Sequence, residues 1–435
     1  MIDLSEIERR LLPDEELSRK LSRVSQDLIS KIRIELERDG IQAEPLLVGS
    51  VSKGTFLDPD IDIFISFDRK YEKSFIVSTS LRIGHRVLSN GTERYAEHPY
   101  VTGSVSGIKV DIVPCYRIKK GETIITAVDR SPLHTRYILE ALPEEKKSQV
   151  RLLKAFMKHL GIYGSEVSTK GFSGYVCELL IIRNGDFIET IRSFSQTKGR
   201  YIISDGATRK FKDPVVIVDP VDGKRNAAAA VSLENLSLMK IASREFLLNP
   251  SDEFFFGTRT RKKVLMERGT HFRIFRLPLI DAVPDTLYPQ VDKFRRVLEK
   301  LLDDGGFIPL GSEIHMGESI DILVELRFLK SPRFIIHRGP PADSERTHDF
   351  IEKWIGNERA LGPYLLGDRL FVEVPTQPES VEEYILNRIG KRNIGKNLNP
   401  VKSKLSILKP SPSEEYEVLT KYFSRVIPIH PRKPP

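Results

Sequence analysis

Between residues 14 and 38, Leu17, Leu21, Val24, Leu28, Ile32 and Leu36 recur at three- and four-residue steps. That period predicts an amphipathic helix ending at Asp39-Gly40. The pattern then changes. Residues 46–67, LLVGSVSKGTFLDPDIDIFISF, read as an apolar strand, a Gly-Ser turn, a polar loop and a second, alternating strand. A helix is expected from about Lys73 to Ser89, closed by Asn90-Gly91, and residues 94–116 predict two strands joined by a turn around Ser104 to Gly107. Residues 117–135 read as a polar connection in which Asp129, Ser131 or Thr135 caps the helix that follows. That helix runs from about Glu144 to Leu160, with Val150, Leu153, Phe156 and Met157 toward the core. Further on, GFSGYVCELLIIRNG predicts a buried helix, VVIVDPVD a buried strand, and KRNAAAAVSLENL the start of a small-residue helix. Beyond about residue 255 the chain becomes more polar, with helical signals near 290–303 and 345–356 and strand candidates near 271–278, 319–328 and 368–374. Intermixed strands and helices there predict a small α+β unit. The Pro-rich end, PIHPRKPP, predicts a frayed terminus.

Composition adds bounds rather than chemistry. A chain of 435 residues, 40% hydrophobic and 29% charged, predicts two to four domains with an ordinary soluble balance. No window approaches the roughly 18 uninterrupted apolar residues of a membrane span, and the N-terminus is charged from its third residue, so neither a span nor a signal peptide is expected. A cytoplasmic location follows as an expectation. The two cysteines, Cys115 and Cys177, sit among apolar neighbours and predict buried, reduced thiols. A net charge of +8 favours a polyanionic partner. From Arg388 onward eleven Lys and Arg face three Glu, an excess of eight, which fits a solvated basic tail and a nucleic-acid contact equally.

Candidate chemistry concentrates in the alternating strand. Asp60 and Asp62 alternate with Ile61, Ile63 and Ile65, so both carboxylates fall on one face and the isoleucines on the other. Two such carboxylates repel when ionised, and a divalent cation between them resolves the conflict. Oxygen ligands beside a phosphate suit Mg²⁺ better than zinc. Gly49-Ser50 can bring backbone N–H groups and a hydroxyl to a phosphate, with Lys53 as a counter-charge. Asp111, inside the apolar run V-D-I-V-P, is costly unless paired or metal-bound, and is the natural third ligand if its strand lies near the first two carboxylates. Three such groups could hold two Mg²⁺ ions. Lys154 within LLKAFM either snorkels from a buried face or reaches phosphates in a cleft, and Arg225 is either an exposed arginine or a basic group aimed at a ligand.

A Gly-Ser turn followed by D-x-D resembles the signature of the DNA polymerase β-like nucleotidyltransferase superfamily. More specific blocks, among them RYAEHPYV, GIKVDIVPCY, TAVDRSPLH, VRLLKAFMKHLGIYG, GFSGYVCELL, VDPVDGKRNAAA, DTLYPQ and RNIGKN, resemble the class I, archaeal-type CCA-adding tRNA nucleotidyltransferases over about residues 40–400. The resemblance implies an α+β multidomain chain. Residues 1–140 would form a polymerase β-like catalytic domain with a mixed sheet, and 141–255 a mainly helical, nucleotide-binding central domain. Residues 256–435 would form a tRNA-binding region with an inserted α+β tail at about 305–385. It implies that Asp60, Asp62 and Asp111 are the metal carboxylates. Ser50, Lys53, Ser131, His134, Lys154 and Tyr163 would lie around the triphosphate and sugar, and Arg225 would read the base together with the RNA end. Expected partners are two Mg²⁺ ions, CTP, ATP and the acceptor end and elbow of tRNA, with homodimer formation left open. A poly(A)-adding enzyme and a catalytically silent RNA-binding protein are the rival readings.

Overall fold

In the computed structural model, residues 3–95, 98–119, 122–256, 268–410 and 417–423 are described. PIHPRKPP lies outside them, as do Ala96 and Glu97 of RYAEHPYV. The chain divides into two compact units, residues 1–258 with 427–435, and residues 259–426.

The first unit opens with helices α1 (Leu4–Arg10) and α2 (Glu15–Arg38). Asp14 caps α2 by accepting from the Glu16 N–H, and Leu21, Val24, Leu28, Ile32 and Leu36 are buried along one stripe, as the period requires. Strand β1 (Ala43–Val48) leads into a short helix α3 (Gly49–Lys53), then β2 (Asp60–Phe67) and α4 (Lys73–Val87). The expected turn at Gly49-Ser50 is therefore the first turn of a five-residue helix. β3 (Thr92–Tyr95), β4 (Pro99–Val105) and β5 (Ile108–Tyr116) complete a sheet of order β1-β2-β5-β4-β3. β2 and β5 run parallel and every other pairing is antiparallel, which makes the sheet mixed. Ile61, Ile63 and Ile65 of β2 and Ile108, Val110 and Ile112 of β5 are buried in one core with the apolar stripe of α2.

Helix α5 (Arg130–Ala141) begins within the stretch read as a connection. Asp129, which the sequence offers as one cap for the helix at 144–160, instead accepts from the backbone N–H groups of Tyr116 and Thr126 just ahead of α5. α6 (Lys147–Leu160), α7 (Gly174–Asn184) and α8 (Phe187–Gln196) follow. Next come β6 (Tyr201–Ile203), β7 (Val215–Asp219) and β8 (Asp222–Asn226), a three-stranded sheet, then α9 (Leu233–Leu248) and α10 (Glu253–Phe256). Residues 224–226 are thus strand, where the alanine run predicts helix. Asn226 explains the difference, because its side chain accepts from the Ile217 and Ala228 N–H groups and donates to the Val215 carbonyl, holding the segment to β7. The helix starts only after Ser232, whose hydroxyl accepts from the Asn235 N–H.

The second unit contains β9 (His271–Pro278), α11 (Pro284–Asp304), β10 (Pro309–Met316) and β11 (Ser319–Leu326). β12 (Phe334–Pro341), α12 (Thr347–Ile355), β13 (Leu361–Leu366) and β14 (Arg369–Pro375) follow, then α13 (Val381–Ile389), β15 (Ser406–Leu408) and α14 (Glu417–Phe423). It holds two antiparallel sheets, β10-β11-β9-β15 and β12-β14-β13. Among the described residues no helix is long and apolar enough to cross a membrane. Cys115 and Cys177 are free and buried.

Candidate active site

The parallel pairing of β2 with β5 sets the site's centre. Asp62 lies opposite Asp111 and Asp60 opposite Lys109, so the three acids that the sequence singles out meet on two neighbouring strands. Burial above all, and then the charge of Asp111, push the Asp62 carboxyl up to about 7. Oδ1 of Asp111 is buried with no hydrogen-bond partner, a state a carboxylate oxygen rarely keeps. Lys109 places its ammonium 3.0 Å from Oδ2 of Asp111 and 3.6 Å from Oδ2 of Asp60, so a cation already stands between two of the acids. Among the described residues no three or more His, Cys, Asp or Glu side chains are drawn together closely enough to hold a metal ion as they stand. The donor set nevertheless fits a hard divalent ion. It consists of oxygens alone, one of them is orphaned, and a side-chain cation occupies the position that charge balance demands.

Gly49 connects this centre to its surroundings. Its φ of 76° is the left-handed conformation that glycine adopts without strain, and a Cβ there would overlap the Asp62 carboxylate. Its N–H points to Oγ1 of Thr135, at 3.4 Å, which ties α3 to α5. Ser50 is half-buried in α3, and Ser131 is half-buried in the first turn of α5.

The expected phosphate lysines converge on a residue the sequence reading passed over. Nζ of Lys53 lies 2.5 Å from Oε2 of Glu178, and Nζ of Lys154 lies 3.5 Å from its Oε1. Lys154 also donates to the Thr55 carbonyl at 2.8 Å, and the Thr55 hydroxyl donates to Oε1 of Glu178 at 2.6 Å. Lys154 is 1% exposed, so it is a buried ion-pair partner rather than a snorkelling chain. Burial works to raise the Glu178 carboxyl, but the charges of Lys154 and Lys53 outweigh it and hold it below the usual range. A Cβ on Gly174 would lie 3.1 Å from the Tyr163 hydroxyl and 3.4 Å from Nζ of Lys154, so both groups gather at the N-terminus of α7.

A second cluster centres on Asp219. His134 Nε2 and Arg225 Nη1 both lie 2.8 Å from its Oδ2, and the Tyr175 hydroxyl donates to Oδ1 at 3.0 Å. His134 stacks on Tyr175 with ring centroids 3.9 Å apart. Burial lowers the His134 pKa against the pull of Asp219, which keeps the imidazole neutral at neutral pH. Arg130 pairs with Asp222 at 3.1 Å, which joins the start of α5 to β8. An open cavity of about 1130 Å³ is lined by Arg130, His134, Ser173, Tyr175 and Arg225 among others, large enough for a nucleotide together with a strand end.

Glu178 and Asp219 carried a signal, since each is a lone acid in an apolar run, CELL and VIVD. The cost argument that singled out Asp111 applies to both. Tyr175 carried no comparable signal.

Comparison with known proteins agrees with this geometry. Residues 29–134 match the nucleotidyltransferase domain family, 148–256 the second domain of tRNA nucleotidyltransferases, and 268–409 the C-terminal domain of CCA-adding enzymes. A CCA-adding enzyme of Thermoplasma volcanium is 47% identical over 427 residues, covering 98% of this chain and 97% of its own length. One from Picrophilus torridus is 46% identical over 98% of this chain and 100% of its own. A more distant one from Archaeoglobus fulgidus is 35% identical over 89% of this chain and 90% of its own. The nucleotidyltransferase family generally uses divalent metal ions, in keeping with the oxygen donors of β2 and β5. Three successive domain matches, and relatives 44–47% identical that are covered over 97–100% of their own length, leave one assignment: the chain belongs to the CCA-adding enzymes, tRNA nucleotidyltransferases that build the 3′-terminal C-C-A without a nucleic-acid template.

Proposed function

We propose that Asp60, Asp62 and Asp111 hold two Mg²⁺ ions and that in-line attack of the tRNA 3′-hydroxyl on the α-phosphate of CTP, twice, and then of ATP proceeds over this face of the sheet. The observation that carries the reading is the register that sets Asp62 against Asp111, with Oδ1 of Asp111 left without a partner. When bound, the ions lower the pKa of the attacking hydroxyl and neutralise the triphosphate and the departing pyrophosphate.

The chain's own residues supply position and electrostatics. Ser50 faces the phosphates from the first turn of α3, with Ser131 beside it on α5, while the Gly49 N–H stays with Thr135. Lys53 and Lys154 share the single carboxylate of Glu178, so the trio carries one positive charge in excess within a buried setting. A triphosphate supplies the missing anion, and the N-terminus of α7, with Tyr163, favours it there. Arg225 reads the base, and His134 contacts the nucleotide near its sugar and phosphates.

The domains we assign are catalytic (1–140), central and nucleotide-binding (141–255), and tRNA-binding (256–435), the last with a tail over about 305–385 that includes the sheet β12-β14-β13. tRNA is held by its acceptor end and elbow, in the cytoplasm. The test of the site is Asp62→Ala, which abolishes transfer while leaving tRNA affinity within about twofold, because a carboxylate supplies none of the cationic contacts on which phosphate-backbone binding rests. Retained turnover would remove Asp62 from the metal site.

A further inference from the structure

We propose that Asp219 is the positioning residue for nucleotide choice: its one carboxylate locks Arg225 and His134 into a single frame, so the base-reading donor and the imidazole are aligned together. The inference rests on the reading of Arg225 and His134 given above and adds to it the group through which both act.

Asp219 ends β7 with a fully buried side chain, and four donors converge on it. Oδ2 takes His134 and Arg225, and Oδ1 takes the Tyr175 hydroxyl and, at 3.1 Å, the Val221 N–H. Burial works to raise its pKa, but these bonds, that of His134 foremost, hold it below the ordinary carboxylate range, so it is ionised. An ionised carboxylate only accepts. Nε2 of His134 therefore carries the ring proton, and Nδ1 of the neutral imidazole is left as an acceptor. Rotation of the ring is checked by the stack on Tyr175, whose hydroxyl is held by the same carboxylate.

Arg225 commits Nη1 to Asp219 and is 36% exposed at the cavity, so its remaining donors face a ligand from a fixed origin. Such a donor discriminates by chemistry. Cytosine and adenine each present a ring-nitrogen acceptor beside an amino group on the pairing edge, whereas uracil and guanine present an N–H there. A donor held in place meets an acceptor in the first pair and another donor in the second. A donor free to swing loses that contrast, since it can turn toward the carbonyl oxygens of uracil and guanine.

The test uses the full-length chain with tRNA lacking its 3′ end and each nucleoside triphosphate supplied alone. Asp219→Asn is expected to lower the ratio of kcat/KM for CTP over UTP by about tenfold or more, the size of one charge-assisted bond. In an Arg225→Ala background the same substitution is expected to leave that ratio unchanged, because both act through one group. An equal fall for all four nucleotides, or full additivity with Arg225→Ala, would overturn the proposal and leave Asp219 a structural residue. A second measurement reads the wild-type chain itself: the ¹⁵N shifts of its His134 imidazole, assigned by comparison with His134→Gln, are expected to show the Nε2–H tautomer, and the Nδ1–H tautomer contradicts the frame. Wild-type chain that takes UTP as readily as CTP contradicts the reading of Arg225 itself, and Asp219 with it.

Discussion

A Cβ at Gly49 would fall on the carboxylate of Asp62, so the first turn of α3 and the acids of β2 touch across the paired strands β1 and β2. Only glycine fits. Gly49→Ala is expected to displace Asp62 and to add about 1 kcal/mol of backbone strain at the positive φ. Transfer falls at least about a hundredfold, as expected for a misplaced reacting group, while tRNA binding persists. Steady-state incorporation beside a filter-binding assay separates the two, and near-normal turnover would mean that the turn can shift away from β2.

Lys109 stands between Asp60 and Asp111, and its removal is expected to have opposite effects with and without Mg²⁺. Lys109→Met leaves Asp60 and Asp111 uncompensated, so the metal-free chain melts at a lower temperature, yet it no longer competes with an entering ion, so Mg²⁺ binds more tightly. Calorimetric unfolding with and without Mg²⁺ reads both effects. A variant weakened equally in the two conditions would make Lys109 a structural ion-pair partner alone.

The Asp62 carboxyl, raised to about 7 by burial and by Asp111, ties metal binding to pH. Its folded pKa lies above the unfolded value, so its contribution to stability is full below about pH 4 and is lost as pH rises through about 7 in the metal-free chain. An entering ion must displace that proton. Mg²⁺ affinity is therefore expected to rise between about pH 6 and 7.5, with release of about three-quarters of a proton at pH 6.5 that is absent in Asp62→Asn. Titration calorimetry in two buffers of different ionisation enthalpy counts the protons.

Glu178 is the only carboxylate among the described residues paired with both Lys53 and Lys154. Glu178→Gln keeps the size and an acceptor for the Thr55 hydroxyl but strands two buried ammonium groups, which costs about 3 to 5 kcal/mol. Added CTP restores part of the lost melting temperature, and by more than it stabilises the wild type, because the variant's unpaired charge prefers the triphosphate. Equal shifts in the two proteins would separate the trio from phosphate binding.

The meeting of the three acids was legible because strand periodicity leaves little freedom. Once Asp60, Asp62 and the intervening isoleucines are placed on β2, burial of one face decides where the acids point, and Asp111 obeys the same rule on β5. The amphipathic stripe of α2 was legible for the same reason. The two clusters beside it were not, because they are made by contacts far apart in the chain. Glu178 finds Lys53 across 125 residues, and His134 finds Asp219 across 85. Helix α5 escaped the periodicity because its polar residues Arg130 and His134 are turned to the cavity instead of to open solvent. At β8 the alanine run carries helical propensity, but the hydrogen bonds of Asn226 to β7 override it. Of the tail sheet, β14 was legible near 368–374, whereas β12 and β13 were faint because Phe334, Ile336, Leu361, Leu365 and Leu366 remain exposed, which blurs the alternation a half-buried strand would show.

The most direct test of the account is to incubate the chain with tRNA lacking its 3′ end, CTP, ATP and Mg²⁺, and to sequence the product ends. The account predicts C, C and A in that order followed by arrest, with no addition by Asp62→Ala. A run of A residues, or salt-sensitive tRNA binding without incorporation, would contradict it.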